Sequence, residues 1–192
     1  MNLFLWGALP YIAFTFLIVG TLVRFFYFER NWTTKSSEFL EKKQLRIANP
    51  LFHFGLLCVI GGHVVGVLIP KTWTAAIGIN DHMYHQGALY MGAVAGLIFI
   101  VGFLLLMKRR FTVAELKVNT SRLDKWLYLF LTLAIFSGMA GTLLNASGFF
   151  DYRVSIGPWF RSLLAFMPDP SLMEGVPFMF KFHMFAWMAV AI

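Results

Sequence analysis

Three histidines stand inside apolar stretches of the sequence, where ionisable side chains are costly and commonly mark a working site. His53 and His63 lie in LFHFGLLCVIGGHVVGVLIP, residues 51–70, and His183 lies six residues beyond Pro177 in FKFH. The ten residues between the first two correspond to roughly 15 Å of helical rise, so these side chains cannot bind one metal ion. Neutral imidazoles are common axial ligands of haem iron. The spacing therefore predicts two sites at two depths.

Long stretches without charge identify the solvent around most of this chain. Of its 192 residues, 59% are apolar and only 13% are charged, well outside the averages of soluble domains. Four stretches reach the ~20 residues that a membrane-spanning helix needs, namely 1–23, 47–70, 82–107 and 126–150. A fifth begins near Pro177 and reaches Ile192 after about 24 Å of helix, against a hydrocarbon core of ~30 Å. We therefore expect an all-α integral membrane bundle of five transmembrane helices, the fifth incomplete, in a single domain over residues 1–192.

Basic residues are concentrated in two of the connections between these spans. The formal net charge is +7, and twelve of the sixteen Lys and Arg residues lie in residues 24–46 and 108–125. By the positive-inside rule these connections and the C-terminal end face the cytoplasm, and the N-terminus faces outside. The charge therefore reports topology in the cell membrane rather than a nucleic-acid partner. Because Cys58 is the only cysteine, an intrachain disulfide, a cysteine-based zinc or iron–sulfur site and a C-x-x-C-H haem attachment are excluded.

His63 and His183 are expected at similar depths near the outer face, because the fifth span runs in the opposite direction to the second. Two neutral imidazoles at one level on antiparallel helices can supply both axial ligands of a haem iron. Gly61, Gly62 and Gly66 lie close to His63 in the sequence. Their missing side chains would let a flat macrocycle approach the backbone.

His53 lies nearer the cytoplasmic face and requires a different partner. By the same geometry that partner would lie ~15 Å further along the fifth span, beyond Ile192, so we expect the sequence to be a C-terminally truncated fragment. The alternative is structural: Gly62 and Gly66 form a G-x-x-x-G helix-packing motif, and the histidines only hydrogen-bond between helices. Three histidines at matched depths on two spans favour haem ligation by all three.

The stretch DHMYHQ, residues 81–86, lies at the outer entrance of the third span. His82 and His85 form an H-x-x-H pair, but two ligands without a third are a weak metal signal, and ordinary polarity at the membrane surface explains them about as well. The functional interpretation is that one of these histidines or Gln86 holds a quinol headgroup or accepts its proton next to the outer haem. The candidate quinol contacts are Gly62, His63, His85 and Gln86.

Six stretches, spread over essentially the whole chain, resemble the gamma subunit of respiratory nitrate reductase, the membrane cytochrome b of that complex. They are WTTKSSEFLEKK, LFHFGLLCVIGGHVVGVLIP, DHMYH, FDYRVSIGPWFR, SLMEGVP and FKFH. The resemblance implies two b haems stacked across the membrane and oxidation of quinol near the outer face. It also implies that His63 and His183 ligate the outer, distal haem. His53 would ligate the inner, proximal haem, whose second ligand in the family is a histidine further along the fifth span.

The third span departs from one feature of that family. Some members carry a lysine implicated in quinol binding near the start of this span. The present chain has no lysine between Lys71 and Lys108, and it reads Tyr84, His85 and Gln86 near that point. The lysine contact of such members therefore has no matching residue at this point of the present chain.

The resemblance also implies a reaction and partners. Menaquinol or another quinol would be oxidised with release of its protons outside, and the electrons would pass to an iron–sulfur beta subunit and a molybdenum alpha subunit that reduces nitrate. Two alternatives stay open. A related cytochrome b could serve a heterodisulfide reductase-like or sulfite-reducing complex, and a small proton-coupled transporter could use the histidines as a relay. The interiors of the predicted spans contain no Asp or Glu, which disfavours the transporter.

Overall fold

The computed structural model describes residues 2–27 and 40–192, which are helical and contain no β-strand. The α-helices of these residues are α1 Leu9–Tyr27, α2 Lys43–His63, α3 Lys71–Ala76, α4 Asp81–Thr112, α5 Ala114–Val118, α6 Arg122–Leu144, α7 Ile156–Leu164 and α8 Phe178–Ala191. A π-helical turn, Phe4–Ala8, precedes α1, and a second one, Val64–Leu68, continues α2. A 3₁₀ turn, Pro170–Met173, lies between α7 and α8.

Four helical segments of the described residues are long and apolar enough to cross a membrane. They are Phe4–Tyr27, Lys43–Leu68, Asp81–Thr112 and Arg122–Leu144, and they confirm four of the five predicted spans. The fifth apolar segment is α8, which has 14 residues, or about 21 Å of helix against a hydrocarbon core of ~30 Å. Its crossing of the membrane therefore stays a prediction.

The ends of the spans differ from those predicted, because a stretch without charge shows what can lie in lipid and not where a helix stops. The segment expected over 126–150 is a helix only as far as Leu144. Asn145 ends it: its side-chain amide donates to the carbonyl of Phe150 (2.9 Å) and its carboxamide oxygen accepts from the amide of Phe150 (3.0 Å). At the other end, Ser121 forms a capping box with Asp124 and starts α6 before the expected boundary.

The backbones of α2 and α4 touch at two glycines. A Cβ added to Gly55 would lie 2.5 Å from the amide nitrogen of Phe99, and one added to Gly102 would lie 2.6 Å from the Cα of Phe52. Small residues of this kind let membrane helices approach closely and pack by van der Waals contact. Phe99 and Phe103 are buried beside this contact together with Ile135 of α6. The second span, which carries His53 and His63, is thus fixed against the third.

The end of the bundle next to the N-terminal turn is closed by aromatic packing between that turn and α7. Trp6 and Trp159 are both buried and meet edge to face with ring centroids 5.7 Å apart. The indole N–H of Trp159 donates to the carbonyl of Trp6 at 2.8 Å. Phe185 of α8 packs against Trp6 at 4.8 Å. The helix that carries His183 therefore lies against this cluster and against α6.

Buried ion pairing joins the two basic connections. Arg109, at 4% exposure, donates from Nε to the carboxylate of Glu41 at 2.7 Å and from Nη2 to its backbone carbonyl at 2.6 Å. The amide of Gln44 and the Arg109 guanidinium lower the pKa of the Glu41 carboxyl. Residues 28–39 of the predicted connection 24–46, and most of the motif WTTKSSEFLEKK, lie outside the described residues.

Candidate haem-binding site

His63 and His183 come together in the fold, as the matching of their depths predicts. His63 is the last residue of α2, and His183 is the sixth residue of α8. Their ring centroids are 5.9 Å apart and the ring planes meet at 28°. An imidazole nitrogen stands about 2 Å from a bound metal and roughly 1 Å from its ring centre, so two rings on opposite sides of one metal have centres about 6 Å apart. The observed separation suits two axial ligands of one iron.

In both rings the Nδ1 atom is engaged in a hydrogen bond, which leaves the Nε2 atom available to bind a metal. The Nδ1 atom of His63 lies 2.8 Å from the carbonyl of Val59, and that of His183 lies 2.9 Å from the carbonyl of Ala134. Since a carbonyl can only accept, each Nδ1 carries the proton and donates it, and each Nε2 keeps its lone pair. A metal-ligating histidine typically donates its other ring N–H in this way, which orients the ring and fixes its tautomer.

Helix α6 supports the ring of His183 on one side. Ser137 lies with its hydroxyl 3.2 Å from the Nδ1 atom. A Cβ added to Gly138 would lie 2.7 Å from Cε1 and 3.2 Å from Nδ1 of the same ring. The ring of His183 therefore rests on the bare backbone of Gly138, and Ala134, Ser137 and Gly138 together hold it from three positions on one face of α6.

His53 shows the same local arrangement ten residues earlier on α2. Its Nδ1 atom donates to the carbonyl of Asn49 at 2.9 Å, and its ring meets Phe52 edge to face at 5.2 Å. The Nε2 atom is again the one with a free lone pair. Pro50 lies inside α2 rather than at its start, so His53 is the eleventh residue of the helix.

The three glycines near His63 have different roles. A Cβ added to Gly61 or Gly62 would meet no described atom within 4 Å, which agrees with an open approach to this face of the helix. Gly66 instead faces two tyrosines, with the Cε2 atom of Tyr152 at 3.1 Å and the hydroxyl of Tyr84 at 3.3 Å from the added Cβ. The G-x-x-x-G packing alternative is therefore wrong at Gly62. The close helix contact made by glycine lies elsewhere, between α2 and α4.

The histidines of DHMYHQ are placed at the start of α4, where Asn80 caps the helix by accepting from the amide of Met83 at 2.8 Å. The Nε2 atom of His85 lies 3.1 Å from the carbonyl of Ala146. This is the ring nitrogen that His53, His63 and His183 leave free. Over residues 2–27 and 40–192, no group of three or more His, Cys, Asp or Glu side chains is arranged to hold a metal ion. The structure thus offers no third ligand to His82 and His85.

A group of polar side chains lies beyond His63, at the end of the bundle that the sequence predicts to face outside. We name Tyr84, Tyr152 and Arg153 the outer tyrosine–arginine cluster. The guanidinium carbon of Arg153 lies 3.7 Å from the ring centre of Tyr84, a cation–π contact. Burial and the neighbouring hydroxyl of Tyr84 raise the pKa of the Tyr152 phenol above its ordinary value. Both tyrosine side chains lie close to Gly66, three residues beyond His63.

Comparison with known proteins assigns the chain to a family. The family model described as nitrate reductase gamma subunit matches residues 2–192. The chain belongs to the nitrate reductase gamma subunit family. The nitrate reductase gamma chain of Bacillus subtilis is 47% identical over 180 residues, which cover 93% of this chain and 81% of that protein. The resemblance seen in the sequence motifs is thereby confirmed.

Two further relatives of this gamma-subunit chain differ in size. The respiratory nitrate reductase 1 gamma chain of Escherichia coli is 26% identical over 186 residues, covering 96% of this chain and 82% of that protein. The nitrate reductase-like protein NarX of Mycobacterium tuberculosis is 37% identical over 188 residues, but these make up only 29% of its length. The region that matches this chain thus makes up most of the two gamma chains and less than a third of NarX.

Membership in the gamma-subunit family decides among the alternatives left open by the sequence. The gamma chain is a subunit of respiratory nitrate reductase, an oxidoreductase complex. The enzyme assignment is therefore confirmed, and neither the heterodisulfide reductase-like complex nor the transporter is supported. The apolar helices and the family together identify a membrane protein.

Sequence reasoning missed the residues that surround the rings of His63 and His183 in this gamma-family chain. The signal for Gly138 is the small-residue stretch SGMAG in α6, which predicts close helix packing but does not say what packs there. Ala134 contributes only a backbone carbonyl, which leaves no trace in a sequence. Arg153 could have been noticed as a cation next to Tyr152 in FDYRVSIGPWFR.

Proposed function

We propose that this chain is a cytochrome b subunit of nitrate reductase in which His63 and His183 are the axial ligands of an outer haem b. The observation that supports this most directly is the pair itself. Two imidazoles from separate helices stand 5.9 Å apart, and each is held by a backbone carbonyl through Nδ1. When bound, haem b supplies a one-electron donor and acceptor in the membrane.

His53 is proposed as an axial ligand of a second, inner haem b. Its Nδ1–H is bound by the carbonyl of Asn49 in the same manner as that of His63 by Val59. The ten-residue spacing separates the two histidines by roughly 15 Å along one helix. The second axial ligand of the inner haem is not assigned to a residue of this chain.

The proposed reaction is the oxidation of menaquinol or a similar quinol to the quinone near the outer face, with release of two electrons and two protons. The candidate contacts are Gly62, His63, His85 and Gln86. Gly62 presents an open backbone face beside His63, which would let a flat headgroup approach. Since the Nε2 atom of His85 faces the carbonyl of Ala146, its Nδ1 atom is the one that can accept a proton from a quinol hydroxyl.

The proposed topology places the N-terminus outside and the C-terminal end of α8 in the cytoplasm, in one domain over residues 1–192. Electrons would then leave on the cytoplasmic side to an iron–sulfur beta subunit and a molybdenum alpha subunit. The basic connections face this side by the positive-inside rule. Among the described residues, Arg109 pairs with Glu41 and Arg110 pairs with Asp124. The candidates for docking are other basic side chains of the second connection, Lys108, Lys117, Arg122 and Lys125.

The test is the optical difference spectrum of membranes, dithionite-reduced minus oxidised, with haem counted per polypeptide. His63→Ala and His183→Ala should each lose one b-type haem, and it should be the same haem, because each variant removes one ligand of the same iron. His82→Ala, an exposed histidine at the outer end of α4, is the matched control and should keep the wild-type haem content. Absence of haem from inserted wild-type protein, or full haem content in both ligand variants, would refute the proposal.

A further inference from the structure

The outer tyrosine–arginine cluster contains a buried cation that the proposed function has not used. Arg153 is 5% exposed, and within the described part of the chain its side chain has one hydrogen bond, from Nη2 to the hydroxyl of Thr74 at 2.8 Å. Thr74 in turn donates to the carbonyl of Lys71 at 2.9 Å, so its hydroxyl accepts from Arg153 as a neutral group. The Nε atom of Arg153 is buried and has no hydrogen-bond partner in residues 2–27 and 40–192.

Asp151, the carboxylate nearest to Arg153 in the sequence, and Asp81 are engaged by other groups. Asp151 accepts from the backbone amide of Arg153 through Oδ1 at 3.0 Å and from Lys71 through Oδ2 at 2.9 Å. Asp81 binds Lys71 as well, at 2.8 Å. Hydrogen bonds from Asp81 and Asp151 raise the pKa of the Lys71 ammonium. Two carboxylates thus balance one lysine, and no ion pair joins the Arg153 guanidinium to a carboxylate of the described residues.

A buried guanidinium without an anionic partner is unfavourable, because its loss of hydration is not repaid by a matching charge. The preferred partner of a guanidinium is a carboxylate or phosphate bound through two N–H groups. The two phenols beside it are neutral donors that can share such an anion. The chemistry of the cluster is therefore that of a carboxylate site.

We propose that Arg153, with Tyr84 and Tyr152, receives a propionate carboxylate of the outer haem. This rests on the proposed function, since it requires haem at His63 and His183. Haem carries two propionates, and the cluster lies over Gly66, three residues after His63 and within the π-helical turn that continues its helix. Turns of this kind are frequent at functional sites. Arg153 is thus a positioning residue that also sets the electrostatic field at the haem.

The consequence for the haem is a shift of its reduction potential. A nearby positive charge stabilises the reduced iron, which carries one charge less than the oxidised iron, and keeps the propionate ionised at neutral pH. Removing Arg153 should therefore lower the midpoint potential of the outer haem. It should also raise the pKa of the propionate, so the midpoint potential should become dependent on pH near neutrality.

The experiment is a potentiometric titration of the haem optical spectrum in membranes that contain the whole complex, over a series of pH values. Arg153→Gln should give a lower and more pH-dependent midpoint potential, and Arg153→Lys should restore most of the wild-type value because it keeps the charge. Tyr84→Phe keeps the ring under the guanidinium and should give a smaller shift in the same direction. Lys71→Gln is the matched control: it removes one charge from the same face but from a lysine that has two carboxylates of its own.

The outcomes separate this inference from the proposed function. Unchanged potentials and pH dependence in Arg153→Gln with normal haem content overturn the propionate site and leave the histidine ligands in place. An equal shift in Lys71→Gln also overturns it, since the effect would then be one of general surface charge. Absence of haem from the wild-type complex overturns the proposed function itself.

Discussion

The contact between Gly138 and the ring of His183 yields the sharpest prediction. An added Cβ would lie 2.7 Å from Cε1 of the ring, whereas carbon atoms in favourable contact are about 3.5–4.0 Å apart. In Gly138→Ala the ring must therefore move by roughly 1 Å, which also strains its bond to the carbonyl of Ala134. Overpacking of this kind typically costs about 1–3 kcal/mol. If the cost falls on the haem-bound state, haem affinity should drop roughly 5- to 150-fold.

The assay is titration of haem into membranes or detergent micelles containing the haem-depleted protein, followed by optical absorbance. The haem-free variant should be as stable as the wild type or slightly more stable, because alanine favours helix over glycine by up to ~1 kcal/mol and an unligated ring can turn away. Haem affinity should therefore fall in Gly138→Ala while the stability of the haem-free protein does not. This separation distinguishes a displaced ligand from a misfolded protein.

Gly141→Ala is the matched control, since this glycine lies one turn further along α6 and also faces α8. Its added Cβ would lie 3.7 Å from Cε1 of Phe180, an ordinary contact distance. Wild-type haem affinity in Gly141→Ala and reduced affinity in Gly138→Ala are expected. Equal affinity in Gly138→Ala and wild type would show that His183 does not depend on this surface and would refute the reasoning.

Two further predictions concern the helices around the site. Gly55→Ala should lower the thermal unfolding temperature, because its Cβ would lie 2.5 Å from a backbone nitrogen of α4. A backbone atom cannot move aside as the end of a side chain can. Gly61→Ala is the control and should not lower this temperature, because its Cβ would meet no described atom within 4 Å. For Glu41, the Gln44 amide and the Arg109 guanidinium lower the pKa, so its contribution to stability is present at neutral pH and is lost as the pH falls through that lowered pKa. Thermal unfolding measured against pH should show this loss in the wild type and not in Glu41→Gln; parallel curves would contradict it.

The sequence predicts the spans well because lipid imposes a length of uncharged chain that can be counted directly. It also predicts that His63 and His183 meet. The number of residues from the end of a membrane helix gives the depth of a side chain, and the two depths match when the helices are antiparallel. The helix ends were less predictable, because they depend on local bonds such as that between Asn145 and Phe150. A charge count contains no information on such bonds.

The surroundings of His63 and His183 could not be predicted for a different reason. The ring of His183 rests on the backbone of α6 at Gly138. In the sequence, Gly138 cannot be distinguished from any other glycine in a helix. The outer tyrosine–arginine cluster combines α4 with the connection before α7. Tyr84 is therefore almost seventy residues from Tyr152 and Arg153 in the chain. Only the packed structure shows that Tyr84 and Arg153 are neighbours.

The two central histidines belong to different parts of the helix assembly. Helix α2, which carries His63, packs chiefly against α4, whereas α8, which carries His183, packs chiefly against α6 and α1. The two pairs meet through α4 and α6, where Ile135 packs beside Phe99 and Phe103. A group held by both rings would add a second connection, between α2 and α8. Binding free energy at such a site contributes to folding, so loading of the cofactor would strengthen the association of the two helix pairs.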